Sequence, residues 1–375
     1  MKVLQLIPAL VSGGAEQAVL AVNAALVQAG HAGYAASSGG PMVSAVEAAD
    51  GTHYTLPMTA KNPARMLANA FRLRDIILAQ NIDIIHARSR APAWSGLWAA
   101  RMTGRHFITT FHAAYGFDNP VKKFYNGVMA RGETVIAISD FIAAHIGEHY
   151  HVPPSRIAVI RRGVDLTRFH PDKVAPERIR ALQTAWGVPA GRKVAILPAR
   201  LSRIKGHLVL IEALWLLPGD VRPFTVMIGA DQAHDAYGRE LRAAIRAAGL
   251  EGQIVLAGHC QDMPAAYAAA QMVIAPSLKP EGFGRVPVEA QAMGIPVIAS
   301  DLGGFRETII PGVTGWLFAP GDAQTLANAI AAAMQLTPES CRTLALQAIN
   351  HARTHFDAAI MTQKTLEVYQ KVLEC

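Results

Sequence analysis

The sequence is poor in cysteine. It has three in 375 residues, Cys260, Cys341 and Cys375, an odd number spaced too widely for a disulfide framework or a zinc knuckle. A reducing cytoplasm is therefore the expected compartment. Long hydrophobic runs are missing as well, since none approaches the ~18–20 residues needed to span a bilayer. The opening MKVLQLIPALVSGG has one Lys, a Pro-broken apolar stretch and no small-residue cleavage site, so it reads as a first strand and not as an export signal. Charged residues are scarce at 17%, whereas apolar residues reach 51%, a balance that excludes disorder and can fill large cores. There is no short-period repeat and no low-complexity tract.

What is present is enough chain for two domains, because single cores stop growing near ~250 residues. Short apolar runs alternate with amphipathic stretches, as in MKVLQLIPAL then EQAVLAVNAALVQAG, and NIDIIHA then AWSGLWAARMTG. This alternation predicts parallel sheets with helices on both faces. It breaks at 151–192, where prolines, charges and turn residues gather, and it resumes with KVAILPA, so the reading is an α/β protein of two doubly wound sheets with a junction in that interval. Tandem domains of this kind usually hold a ligand in the cleft between them, at the carboxyl ends of the strands. Lys plus Arg exceed Asp plus Glu by 35 to 28 overall, by 15 to 10 within 1–165, and by 11 to 3 within 61–131. The excess favours an anionic partner, and it sits in the first domain.

Three strand-to-helix loops carry candidate chemistry. Ser12-Gly13-Gly14-Ala15-Glu16 follows the first strand and opens a helix. Its glycines admit close approach of a phosphate or polar ligand, with Glu16 answering the helix dipole in the alternative reading of an ordinary turn. The loop is not G-x-G-x-x-G, which disfavours a nicotinamide dehydrogenase. Arg200-Leu-Ser-Arg203-Ile-Lys205-Gly206 offers fixed cations that could bind a diphosphate and neutralise it as a leaving group, although a solvated basic loop would look the same. Pro280-Glu281-Gly282-Phe283-Gly284-Arg285-Val286-Pro287-Val288-Glu289 places two carboxylates eight positions apart, one on a glycine-flanked loop and one on the following helix. Such a pair suits vicinal hydroxyls of a sugar, with a general acid and base as the rival role.

Gly13-Gly14 with Glu16, Arg200 with Lys205, Glu281-x7-Glu289 around Gly-Phe-Gly, and the following GIPVIASDLGGFRETIIPGVTGWLFAPGD together resemble the retaining nucleotide-sugar glycosyltransferases of family four. That resemblance implies the GT-B fold, with residues 1–165 as an acceptor-binding domain, 166–355 as the donor-binding domain, and a terminal helix within 356–375 returning to the first. It implies transfer of a hexose or N-acetylhexosamine, with a UDP-sugar slightly ahead of GDP-mannose, to a lipid-linked or envelope glycan. Arg200 and Lys205 would hold the diphosphate, Glu289 the ribose, and Glu281 with the backbone of Gly282, Phe283 and Gly284 the transferred sugar. Gly13 and Gly14 would border the donor, and Gly258-His259 would lie near the base. No cofactor and no metal are expected, because protein cations and backbone dipoles serve the leaving group.

His112, in FITTFHAAYGF, matches a family histidine close to the reacting sugar and would act as a hydrogen-bonding group there. Together with Glu16, the strand-end residues His86, Arg88 and Arg90 are candidate acceptor contacts, with exposed arginines on a solvated loop as the plain alternative. Joined to Lys122 and Lys123, they could also form a basic face resting on the acidic inner leaflet, each residue worth up to ~1 kcal/mol there. One departure stands out, for many relatives carry Asn-Gly-Val-Asp where this chain has Arg162-Gly163-Val164-Asp165, so an Asn contact is lost. A same-fold epimerase, a phosphorylase, for which no pyridoxal-phosphate lysine context is found, and a non-catalytic sugar-binding protein are the competing readings. Nucleic acid is not needed to explain the charge.

Overall fold

The computed structural model describes residues 1–11, 13–229 and 236–374, so Ser12 and Cys375 lie outside the described residues. Its chain divides into two units, Met1–Gly163 with Ala358–Cys375, and Val164–Asp357. In the first unit the strands are β1 (Lys2–Leu6), β2 (Ala32–Ser37), β3 (Thr52–Thr55), β4 (Ile84–Ala87), β5 (His106–Phe111), β6 (Thr134–Ala137) and β7 (Ile157–Val159). In the second they are β8 (Val194–Pro198), β9 (Phe224–Ile228), β10 (Ile254–Gly258), β11 (Met272–Ala275), β12 (Val297–Ser300) and β13 (Gly315–Phe318). Among the described residues every strand pairing named here is parallel, in the orders β3-β2-β1-β4-β5-β6-β7 and β10-β9-β8-β11-β12-β13.

Parallel strands covered by helices on both faces read as unbroken apolar runs, and this is why the segments IIHA, FTVMI, MVIA and VIAS are buried along their whole length. Their β-branched residues fit that pleated, enclosed surface. The helices between them are punctuated by local chemistry. Asn62, Asn119 and Asp322 accept hydrogen bonds from the first backbone N–H groups of helices Pro63–Gln80, Pro120–Asn126 and Ala323–Met334.

The first core joins Val3, Ile84, Ile108 and Ile136 of the sheet to Met361, Tyr369 and Val372. Those last three come from helix Ala358–Leu373, which packs beside helix Gly14–Gln28. In the second core Ala195, Met227, Ile274 and Ile298 meet Leu210, Leu214, Leu326 and Ile330 from helices His207–Leu216 and Ala323–Met334, which pack against each other. Each order reverses direction once, between β1 and β4 and between β8 and β11. Loops leaving the carboxyl ends of strands diverge at such a point and open a crevice, so these two places are where a ligand is expected.

Candidate functional site

At the reversal point of the second sheet, the loop after β8 meets the loop after β11. Gly206 makes the approach possible. It sits at φ 71°, and a Cβ added there would stand 1.8 Å from the Pro276 carbonyl oxygen, a contact no side chain can accept. The result is that Lys205 Nζ lies 2.5 Å from Glu281 Oε1, while Ser277 Oγ donates to the same oxygen at 2.7 Å. Both charged side chains are about a quarter exposed, Lys205 at 21% and Glu281 at 26%, so the pair faces a crevice and is not sealed in the core. Arg200 is exposed on the same loop. A cation and a carboxylate that neutralise each other at a strand crossover can each be drawn off by a ligand that carries both an anion and hydroxyl groups.

Beyond Glu281 the chain turns into helix Arg285–Ala292. Gly284 at φ 92° begins it, and a Cβ there would lie 2.5 Å from the Phe305 ring. Gly304 N donates to the Glu281 carbonyl at 2.9 Å, which braces the loop from behind. Phe283 is buried and packs edge-on against Phe356 at 5.5 Å, so its ring anchors the loop and leaves only backbone to a ligand. Glu289 is buried on the next turn. Its Oε2 accepts from the Tyr267 hydroxyl at 2.8 Å and its Oε1 lies 3.4 Å from Arg285. Burial and the neighbouring carboxylate push the Tyr267 phenol up, which keeps it the donor. At the end of β10, Gly258 accepts through its carbonyl from Gly229 N at 2.8 Å, and His259 is exposed beside it.

In the first unit, Gly13 caps helix Gly14–Gln28 and the Glu16 carboxylate folds back over it. His112 leaves the end of β5, and its Nδ1 lies 2.7 Å from Arg162 Nη2. The same guanidinium donates through Nη1 to the Gly14 carbonyl. Arginine can only donate, so His112 Nδ1 accepts, and a neutral ring then carries its proton on Nε2. That Nε2 is buried without a hydrogen-bond partner, a state that costs about 1–3 kcal/mol and calls for an explanation. Burial lowers the His112 pKa well below its ordinary value, and the charges of Arg162 and Arg88 lower it further. A cavity of about 20 Å³ lies alongside, lined by His112, Arg162, Arg88, Thr110 and Thr365, room for about one water.

The acceptor contacts expected from sequence are corrected in part. His86 lies within β4 and is fully buried, with Nδ1 2.6 Å from the Tyr369 hydroxyl and Nε2 2.6 Å from Thr110 Oγ1, so neither ring nitrogen is open to a ligand. Arg88 is no solvated loop residue either. It is buried and donates twice to Gln5 Oε1, at 2.9 and 2.6 Å. Arg90 begins helix Arg90–Thr103, donates to Asn126 Oδ1 at 3.0 Å and lies over the Tyr115 ring. The physical reason is burial, since His86 inside the central strand β4 and Arg88 just beyond its end must satisfy their polar groups within the fold.

Sequence reasoning did not single out Ser277, Tyr267 or Tyr369. Ser277 carried the only local signal, four residues before Glu281 on the same strand-end loop. Among the described residues no group of three or more His, Cys, Asp or Glu side chains is placed to hold a metal ion, and no helix is long and apolar enough to cross a membrane.

Two family models match the chain. "Glycosyltransferase Family 4" covers residues 12–168 and "Glycosyl transferases group 1" covers residues 179–351. A crystal structure of a glycosyltransferase from Rickettsia africae ESF-5 is 35% identical, with a TM-score of 0.91 over 99% of this chain and 98% of that one. The structure of Anabaena Alr3699/HepE in complex with UDP-glucose is 26% identical, with a TM-score of 0.86 over 99% of this chain and 100% of that one. Among curated proteins, the lipopolysaccharide core biosynthesis mannosyltransferase LpcC of Rhizobium leguminosarum bv. viciae is 34% identical over 231 residues, which span 61% of this chain and 62% of the relative. The match thus covers less than two thirds of that relative's length.

Proposed function

The chain belongs to the glycosyl transferases of group 1 and family 4, with the GT-B fold class of two parallel-sheet units, and from that premise we propose that it moves a hexose or N-acetylhexosamine from a nucleotide-diphosphate sugar to a lipid-linked or envelope glycan such as lipopolysaccharide. The observation that carries this reading is the Lys205–Glu281 pair at the strand reversal of the second sheet. A bound donor supplies both of the partners that the pair now supplies to itself. The diphosphate takes Lys205 together with the exposed Arg200, and the sugar hydroxyls take Glu281. Glu289, held by Tyr267 and Arg285, receives the ribose hydroxyls, and the end of β10 at Gly258 and His259 borders the base.

In the reaction the bond from the anomeric carbon to the diphosphate oxygen breaks while the acceptor oxygen bonds to that carbon on the same face. The acceptor proton passes to the departing diphosphate, and the configuration is retained. Lys205, Arg200 and the N–H groups of the loop stabilise the charge that develops on the leaving group. These protein cations do the work of a divalent ion, so the reaction is metal-independent. His112 binds the sugar being transferred.

A UDP-sugar is the first donor to test and GDP-mannose the second. Support for the former is the UDP-glucose complex of Alr3699/HepE, whereas LpcC is named a mannosyltransferase. Work at the cytoplasmic face of an anionic membrane belongs to the same reading. Helix Pro120–Asn126 exposes Val121 at 78% and Phe124 at 62% next to Lys122 and Lys123, an apolar and basic surface that suits acidic headgroups.

The deciding experiment is thermal-shift titration with UDP-, GDP- and ADP-sugars. A donor at about 100 times its Kd stabilises the protein by about 2.7 kcal/mol, a clear rise in melting temperature. No rise with any donor, together with no sugar transfer, overturns the assignment.

A further inference from the structure

We propose that Arg162 is a positioning residue that holds His112 in one form, a neutral imidazole protonated on Nε2, so that the ring meets the transferred sugar as a hydrogen-bond donor and not as a base. The geometry is a shared fork. One arm of the guanidinium reaches His112 Nδ1 at 2.7 Å and the other reaches the Gly14 carbonyl, which ties the ring to the backbone of the first glycine loop. Arg162 is itself buried at 6% exposure, so the fork does not swing freely. A planar guanidinium can bridge two acceptors at once, as Arg162 does here.

The second observation is the buried Nε2 with no partner. That donor borders the cavity of about 20 Å³ beside His112, where an entering acceptor atom can pair it. The charged and titratable groups acting on His112 are Arg162 beyond β7, and Arg88 and His86 from β4. None of these three is a carboxylate, so none of them favours the imidazolium. His86 in turn meets Tyr369 of helix Ala358–Leu373. The network therefore prevents protonation at Nδ1 by occupying it and opposes any second proton by its charge.

This inference rests on the reading that His112 lies beside the reacting sugar, but its first test needs no sugar. In protein carrying ¹⁵N-labelled histidine, the His112 ring of the wild type is expected to remain the neutral Nε2–H form at pH values where an ordinary histidine is already charged. Arg162→Met removes both the donor and the charge. Its His112 is expected to show mixed tautomers and to titrate at a higher pH than in the wild type. Arg162→Gln keeps an amide donor for Nδ1 without the charge, so it is expected to retain the Nε2–H form while its titration rises.

A purely structural Arg162 would shift melting temperature in both variants and leave the ring form alone. Wild-type tautomer and titration in Arg162→Met overturn the proposal, as does an Arg162→Gln ring identical to that of Arg162→Met. If Arg162→Met does not fold, Arg162→Gln decides alone, and an unchanged titration there is fatal. In turnover, Arg162→Met is expected to lose about 10–100-fold in kcat with an acid limb appearing and donor KM nearly unchanged, and Arg162→Gln to recover most of it near neutral pH. Absence of transfer in the wild type would strike the assigned function and leave the ring result standing.

Discussion

The two strand-reversal points solve opposite electrostatic problems. In the second sheet the groups carry full charges of both signs and answer one another, Lys205 with Glu281 and Arg285 with Glu289. In the first sheet the charges acting on the two histidines are those of arginines, Arg162 and Arg88 on His112 and Arg88 on His86, with the Glu16 carboxylate lying over Gly13. A region that must accept a doubly charged phosphate and release it again gains from internal neutralisation, because its cations are never left unpaired when the ligand departs. A region that must present an uncharged donor gains from the reverse, an environment in which one more positive charge is unwelcome. On the proposed function, that difference suits anion exchange in the second unit and directional hydrogen bonding in the first.

The sharpest way to break this contrast is to remove charge from the second site. Lys205→Ala and Glu289→Ala are each expected to lower turnover by about 10²–10³-fold, the first with melting temperature little changed and the second with a lower one because the buried Tyr267 hydroxyl loses its acceptor, and donor affinity equal to wild type in both would sink the site. Acid tests the histidines of both units. The buried His86 and His207 and the half-buried His112 have pKa values lowered by loss of solvation, His207 to about 4. Their unfolded forms take up protons near pH 6.5 while the folded forms do not, so stability present above that pH falls as pH drops toward 4. His207 alone is worth about 3 kcal/mol at the acid end. A melting temperature flat across that window would show that these rings are protonated in the fold.

Tyr369→Phe leaves His86 Nδ1 buried without its partner and is expected to cost about 1–3 kcal/mol, read by denaturant unfolding, with donor affinity untouched. A drop in donor affinity equal to that of Lys205→Ala would erase the division between the two regions. Metal removal separates them too, since activity is expected to survive EDTA if Lys205 and Arg200 carry the leaving group, and a complete loss restored by a divalent ion would contradict it. The smallest effect expected is a fall in rate on anionic liposomes as salt rises, through screening of the first unit's cations. A flat response removes the membrane surface from the reading.

What could be read from sequence follows from how local each signal is. The two doubly wound sheets were legible because enclosed parallel strands leave uninterrupted apolar runs such as MVIA and VIAS, and nothing distant is needed to interpret them. Lys205 and Glu281 were legible for a similar reason, since both lie on strand-end loops whose glycines announce close approach. His86 was not, because a polar residue at the end of a short apolar run looks the same whether it faces a ligand or a tyrosine from the far end of the chain. Arg162 could be noticed as a departure from Asn, but its partner His112 is fifty positions away, and no local pattern joins them. Phe283 shows the same limit on a smaller scale, for an aromatic between glycines suggests a ligand contact until Phe356 is seen against it.

The hydrogen bond from Tyr369 to His86 joins residues 283 positions apart. During synthesis the strands of the first sheet leave the ribosome well before the helix that supplies Tyr369, Met361 and Val372 to their core. The intervening unit, Val164–Asp357, has a core of its own and can close while the first is still waiting. Chains generally fold from the amino end as domains emerge, and late closure across a long loop is slow. Here the order is inverted, so that the part made first is finished last, and an interrupted chain exposes the apolar face of its first sheet. A nascent chain stalled before residue 358 is therefore the form most in need of a chaperone.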